Sequence, residues 1–499
     1  MHRTFETSVS TRLIAFAAIG VMLGFANGRF MVPGLGWIAP GLLLALMRVT
    51  SLRLSLAGLL MASAVAGALQ WTGVVPAPLP ISMAAASCLG IVLALPYAAD
   101  RLCHDRLPPV AGLFVFPLAQ VSLELATASL LPYASFGAWA YTQTYAPIIT
   151  QIASLFGFWA VSFMVASVAP ALAAFLTQTR KYRAEEVGVA GFLVAATMLF
   201  GAWRLSFVPA ETPPVELAGL ASKPSDLTEI IAVKDGCGAD NCAKARADAR
   251  DQVNRLFLRT EAVARERKTD VVVWSEVAAP LFVDDLPAFK EKASRLARQY
   301  RVYLAPAIFV VDPGATPWRN EVLLFDPHGR QISAHLKSRP VPGEISIDGA
   351  DLLPVTVTPF GKVGLAICYD MDFQALARQA SGARLMLVPG SDWEAIDPLH
   401  PNMVALRAVE NGYAVLRPSR ESDSVAFDGF GREIGRTAWR GVDAPLVTAS
   451  LQSAAPVTLY SRIGDVFAYV AALLLLGLCV VAARSRATSG NGARADLPG

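Results

Sequence analysis

The stretch Val363–Phe373, VGLAICYDMDF, runs five small apolar residues straight into a cysteine, a tyrosine and two acids. A short apolar run of this kind suits a strand covered on both faces. Cys368 then ends the strand and is either a packing residue or a nucleophile. Taken singly, a cysteine there is more often packing, so the rest of the chain has to decide.

Two other segments share the plan. TDVVVWSE (269–276) closes on Glu276, and QISAHLK (331–337) closes on Lys337. In an open α/β sheet, side chains at the carboxyl ends of strands converge on one crevice. A thiol needs a base or a cation before it attacks. Glu276 is the candidate base and Lys337 the candidate cation for the thiolate and then the oxyanion. The Tyr369 N–H is a second candidate oxyanion donor.

These segments lie in residues 208–464, where helical and β-branched patterns alternate. AKARADARDQVNRLFLRTEAVARERK (243–268) is amphipathic, with Val253, Leu256, Phe257, Thr260 and Val263 on one face; DLPAFKEKASRLARQYR and PNMVALRAVEN also read as helices. VELAGLA, VYLAPAIFVV, NEVLLFDPHGR, RLMLVPGS and GYAVLRPS read as strands, with an antiparallel return at DPHG. The pattern predicts an α/β domain large enough for its own core.

The remainder is different in kind. The 499 residues are 54% hydrophobic and 17% charged, with a mean hydropathy of +0.45. Residues 12–28, 31–47, 54–71, 80–98, 110–130, 148–176, 187–207 and 465–483 form apolar runs near the roughly 20 residues a spanning helix needs. Every second connection is basic, from Arg3 and Arg12 through Arg48/Arg53, Arg101/Arg106 and Arg180/Lys181/Arg183 to Arg484/Arg486. The positive-inside rule then leaves both termini cytoplasmic and 208–464 on the opposite, periplasmic face. The expected organisation is a bundle of about seven helices over 1–207, an exported domain over 208–464, a closing helix over 465–483 and a disordered tail over 484–499. The net charge of +3 gives no argument for nucleic acid.

Cys237 and Cys242, five positions apart in an exported segment, are expected to form a local disulfide, with a pair of free thiols as the alternative. No second Cys or His pair accompanies them, so no zinc site is expected. Cys88 and Cys479 lie in spans and read as small buried apolar residues.

WSEVAAP, AHLKSRPVPGE and GKVGLAICYDMDF, in that order, resemble the signature segments of the nitrilase, or carbon–nitrogen hydrolase, superfamily. The resemblance implies an α-β-β-α sandwich with Glu276 as base, Lys337 as transition-state stabiliser and Cys368 as nucleophile. It makes Glu344 the candidate supporting acid and places Trp393 and His400 on a substrate-facing loop. Asp370, two residues after the nucleophile, is as in soluble amidases. LPYASFGAWAYTQTYAPIITQIASLFGFWAVSFMV and VSLELA, with Glu124, resemble apolipoprotein N-acyltransferases, as does the whole plan of bundle, exported domain and closing helix.

That resemblance implies a monomeric inner-membrane enzyme without metal or cofactor. It would move an acyl chain from a phospholipid, through a Cys368 thioester, to the N-terminal amine of a diacylglyceryl-cysteine lipoprotein. Asp370 and the short Lys337–Glu344 spacing keep a membrane-anchored amidase or nitrilase-like hydrolase as the rival reading, and a non-catalytic lipid- or lipoprotein-binding relative as a third.

Overall fold

A computed structural model describes residues 8–177, 180–206, 213–222, 228–234, 236, 239–452 and 455–492. The chain divides into two compact units. One comprises 1–131, 137–206 and 463–499; the other comprises 132–136 and 207–462.

The first unit is helical. Among the described residues, six helices are long and apolar enough to cross a membrane: Leu52–Trp71, Leu79–Arg106, Pro109–Leu130, Phe158–Thr177, Ala184–Ser206 and Val466–Ser485. The first two expected spans appear as shorter apolar helices, Val9–Gly24 and Leu35–Arg48. The single run expected over 148–176 is broken. Gly157, at φ 71° and ψ −177°, separates Ala153–Phe156 from Phe158–Thr177, a backbone shape that only glycine adopts freely. The last helix continues to Gly492, beyond the end expected at 483; Ala482, Ala483 and Arg484 are good helix formers, while nothing in the composition of Ser489–Gly492 explains its last turn. Cys88 is exposed rather than buried. Small residues let helices pack closely: a Cβ on Gly67 would lie 2.3 Å from the Ala86 carbonyl oxygen, and one on Gly90 2.2 Å from that of Ser63.

The second unit is built on two large sheets, with a short parallel pair, Gly390–Ser391 and Ser419–Arg420, beside them. The larger runs Leu446–Leu451, Val215–Leu220, Val271–Trp274, Tyr303–Ala305, Arg319–Phe325, Ala307–Val311, Ala279–Phe282, with Gln331–Leu336 antiparallel to Arg319–Phe325. The smaller runs Glu433–Thr437, Ser424–Phe427, Ala414–Arg417, Leu385–Leu387, Gly361–Leu365, Val355–Thr358. Alternation along each strand supplies two faces. Val271 and Val273 point inward with Leu217, Val322 and Leu324 to meet Val363, Leu365, Leu385 and Leu416 of the other sheet. Val272 and Trp274 point outward, onto Val253, Leu256, Phe257 and Val263 of the helix Ala239–Glu266 and Phe289 of Leu286–Tyr300. Trp274 is fully buried, and its Nε1–H donates to the Thr260 hydroxyl at 2.9 Å. The helix Leu399–Asn411 covers the outer face of the smaller sheet through Val404, Ala405 and Ala408. The result is an α-β-β-α sandwich.

Pro306 splits the expected VYLAPAIFVV strand in two, having no N–H for the ladder. The strand that leads to Cys368, Gly361–Leu365, pairs antiparallel with Val355–Thr358 as a hairpin. Residues 132–136 join this unit, where the Ser135 hydroxyl donates to the Asp372 carbonyl at 2.6 Å. Cys242 is disulfide-bonded, whereas its expected partner Cys237 lies outside the described residues.

Candidate active site

Glu276, Lys337 and Cys368 are all buried, at 2%, 1% and 3% exposure. Glu276 follows Val271–Trp274, and its N–H donates to the Gly390 carbonyl at 3.2 Å. Its Oε1 accepts from Lys337 Nζ at 2.7 Å and from Asn320 Nδ2 at 2.8 Å. Its other oxygen, Oε2, is buried with no hydrogen-bond partner among the described residues.

Lys337 follows Gln331–Leu336 and donates a second bond to Glu344 Oε2 at 2.6 Å. Glu344 is itself held on every side. Its Oε1 accepts from Asn320 Nδ2 at 2.9 Å and the Ser346 hydroxyl at 2.7 Å, and its Oε2 from the Val341 N–H at 3.0 Å. Burial alone would make Lys337 give up its proton, but Glu276 and Glu344 outweigh it and hold the ammonium above the usual range. Burial would likewise raise Glu344, yet Lys337, Asn320 and Ser346 keep it below the usual carboxylate range.

Cys368 ends its strand with a turn. At φ 45° it occupies the left-handed region, which costs a non-glycine residue about 1 kcal/mol or more. Asp370 sustains that turn: its carboxylate accepts from the N–H groups of Ile367 and Arg339, both at 2.9 Å, and lies 2.8 Å from His335 Nε2. Asp370 is therefore a brace for the backbone rather than a member of the charged cluster. The Cys368 N–H donates to the Pro389 carbonyl, while the Tyr369 N–H pairs with no carbonyl among the described residues. The Tyr369 ring packs edge-on against Phe373, and burial raises its hydroxyl above the usual range.

A second charged group surrounds the sulfur. The Arg417 Nη2 lies 3.6 Å from Cys368 Sγ, and Asp392 Oδ1 lies 3.7 Å from it. Arg417 grips both oxygens of Asp392, at 3.0 and 2.8 Å. His400 bridges Asp392 (Nδ1, 2.7 Å) and Asp372 (Nε2, 2.8 Å). Burial opposes charge on the imidazole, but these two carboxylates raise its pKa to about 9. Asp392 would be raised by burial, yet Arg417 and His400 drive it well below the carboxylate range. His400 is thus not on a loop: it is the second residue of the helix Leu399–Asn411, buried and fixed. Trp393 is half-buried beside Asp392.

The thiol itself is pushed well above its usual range, by burial first and then by the charges of Glu276 and Asp392; Arg417 and Lys337 pull the other way. The resting group is a neutral thiol that needs a base. Sγ, the Asp392 carboxylate and a His400 nitrogen lie within 4.8 Å of one another, a spacing that metal ions use. The Arg417 guanidinium already supplies the positive charge there, so the donor set does not fit a further cation.

Sequence reasoning missed Asn320, Asp372, Asp392 and Arg417. The last two carried the same signal as the residues it found, since Arg417 closes the apolar strand AVLR and Asp392 follows Gly390–Ser391.

The carbon-nitrogen hydrolase family model matches residues 236–443, and that of the apolipoprotein N-acyltransferase N-terminal domain matches 18–171. An apolipoprotein N-acyltransferase of Geobacter metallireducens is 26% identical over 75% of this chain and 74% of its own length. One from Gloeobacter violaceus is 39% identical over 26% of this chain and 25% of its own. An amidase from Nesterenkonia sp. superposes on 48% of this chain and 90% of its own, at 18% identity and a TM-score of 0.38. Together the two models span most of the chain, and over both halves the sequence is similar to the apolipoprotein N-acyltransferases.

Proposed function

We propose that this protein transfers an acyl chain from a phospholipid to the N-terminal amine of a diacylglyceryl-cysteine lipoprotein, through a thioester on Cys368. The observation that carries this reading is the unpaired Oε2 of Glu276 in the same buried cluster as a neutral thiol. Glu276 takes the thiol proton, and sulfur attacks the ester carbonyl of the donor. The tetrahedral oxyanion is met by the Lys337 ammonium and the Tyr369 N–H. The intermediate collapses with loss of the lysophospholipid alkoxide, to which Glu276 returns the proton. The acceptor amine then attacks the thioester, loses its proton to Glu276, and expels Cys368, which regains a proton. Two half-reactions on one nucleophile give ping-pong kinetics.

Membrane-borne substrates suit a protein with several spanning helices, and the basic connections favour cytoplasmic termini with the sandwich in the periplasm of the inner membrane. The reaction requires no cofactor and is completed by a monomer.

The test is intact mass of the purified full-length protein in phospholipid micelles, beside Cys368→Ala. The reading expects a long-chain adduct that hydroxylamine removes and that the alanine variant lacks, then transfer to a diacylglyceryl-peptide amine. Consumption of lipid with the peptide amine left unmodified, or release of acid from small amides, would favour the hydrolase reading instead.

A further inference from the structure

Lys337 is poorly placed to serve the sulfur, because its Nζ is already held by Glu276 at 2.7 Å and Glu344 at 2.6 Å. The cation in direct contact with Sγ is Arg417, at 3.6 Å. Its guanidinium is fully buried and oriented with care. A bidentate grip on Asp392 fixes its plane, and Asp392 is fixed in turn by His400 and the Ser422 hydroxyl. Room for the group is made by a glycine: a Cβ on Gly390 would lie 2.7 Å from Arg417 Cζ.

We propose that Arg417 is a further catalytic residue whose guanidinium holds the Cys368 thiolate, with Asp392 and His400 as the positioning residues that aim it. When Glu276 accepts the thiol proton, the new negative charge on sulfur faces Arg417 rather than bare hydrocarbon. The same charge reappears when the amine expels the thiolate. An opposite charge at this range commonly moves a titration by one pH unit or more. The charged groups acting on the sulfur are Glu276 and Lys337 from one side and Arg417, Asp392 and His400 from the other; Glu344 bonds to Lys337 and Asp372 to His400.

The proposal rests on Cys368 being the nucleophile, and its test needs no lipid. The rate of iodoacetamide labelling, read at the Cys368 peptide of the full-length protein in detergent, is followed from pH 6 to 10. Arg417→Gln is expected to move the midpoint up by about one unit, a roughly tenfold loss of rate at pH 7.5. Arg417→Lys keeps a charge for Asp392 but loses the fork, and is expected to lose about threefold. Thermal unfolding shows which variant is folded, and the lysine form decides if the glutamine form is not. A folded variant with the wild-type profile would overturn the proposal, as would a wild-type thiol that resists labelling throughout. A shifted profile without any acyl adduct would keep the ion pair and discard the transfer reading.

Discussion

The two charged groups that flank Cys368 are built on opposite principles. On the larger-sheet side, two carboxylates share one ammonium and one carboxylate oxygen is left over. On the smaller-sheet side, a guanidinium and an imidazolium are interleaved with Asp392 and Asp372, and every oxygen of Asp392 is spoken for. The first arrangement has a site left to accept a proton; the second has charge to offer and none to take. On the proposed mechanism, proton removal and thiolate stabilisation fall to different sides of the sulfur.

The sharpest way to break this contrast is Glu276→Gln. The amide keeps a hydrogen bond but cannot take a proton, so formation of the Cys368 adduct should fall about 100- to 10,000-fold at every pH. A rate within a few fold of wild type would show that the base lies elsewhere. Next comes Lys337→Met, which strands Glu276 and Glu344 as buried charges. A loss of about 3–5 kcal/mol in denaturant midpoint stability is expected, and an unchanged midpoint would mean that the ammonium does not bind this side together.

The imidazolium supplies a test of the opposite side. Because the folded pKa of His400 is raised from 6.5 to about 9, its contribution to stability is full below 6.5 and is lost as pH rises through 9. The gap in melting temperature between wild type and His400→Gln should therefore narrow from pH 6.5 to 10. A gap that is constant or widens would show that the imidazole is neutral. The smallest effect is expected from Ser346→Ala, which removes one of four donors to Glu344, at about 1–2 kcal/mol. A larger change in rate than in stability there would mean that Glu344 acts on the substrate directly.

The α/β character of the domain was legible because β-branched runs and the amphipathic face from Val253 to Val263 are local patterns; the two-sheet sandwich came only from the resemblance to the nitrilase superfamily. The spans were legible because hydrocarbon sets their length. Strand-terminal position marked Glu276, Lys337 and Cys368. It would have marked Arg417 by the same rule, but a lone arginine before a proline reads as a solvated strand end until its burial is known. Asn320 was beyond reach for another reason: it lies early in its strand and matters through partners 44 and 24 residues away, at Glu276 and Glu344. His400 was found for its chemistry but misplaced on a loop, because DPLHPNM carries two prolines and does not announce a helix start.

Gly67 and Gly90 carry a consequence for how the helical unit assembles. In hydrocarbon, water drives nothing together, so two helices stay paired only where their main chains can touch. Leu52–Trp71 and Leu79–Val92 touch at these two hydrogens, with no space for a methyl group on either. The hairpin is keyed by shape rather than by greasiness. A single added carbon would act as a wedge, invisible to any hydropathy scale, that pries this pair of helices apart.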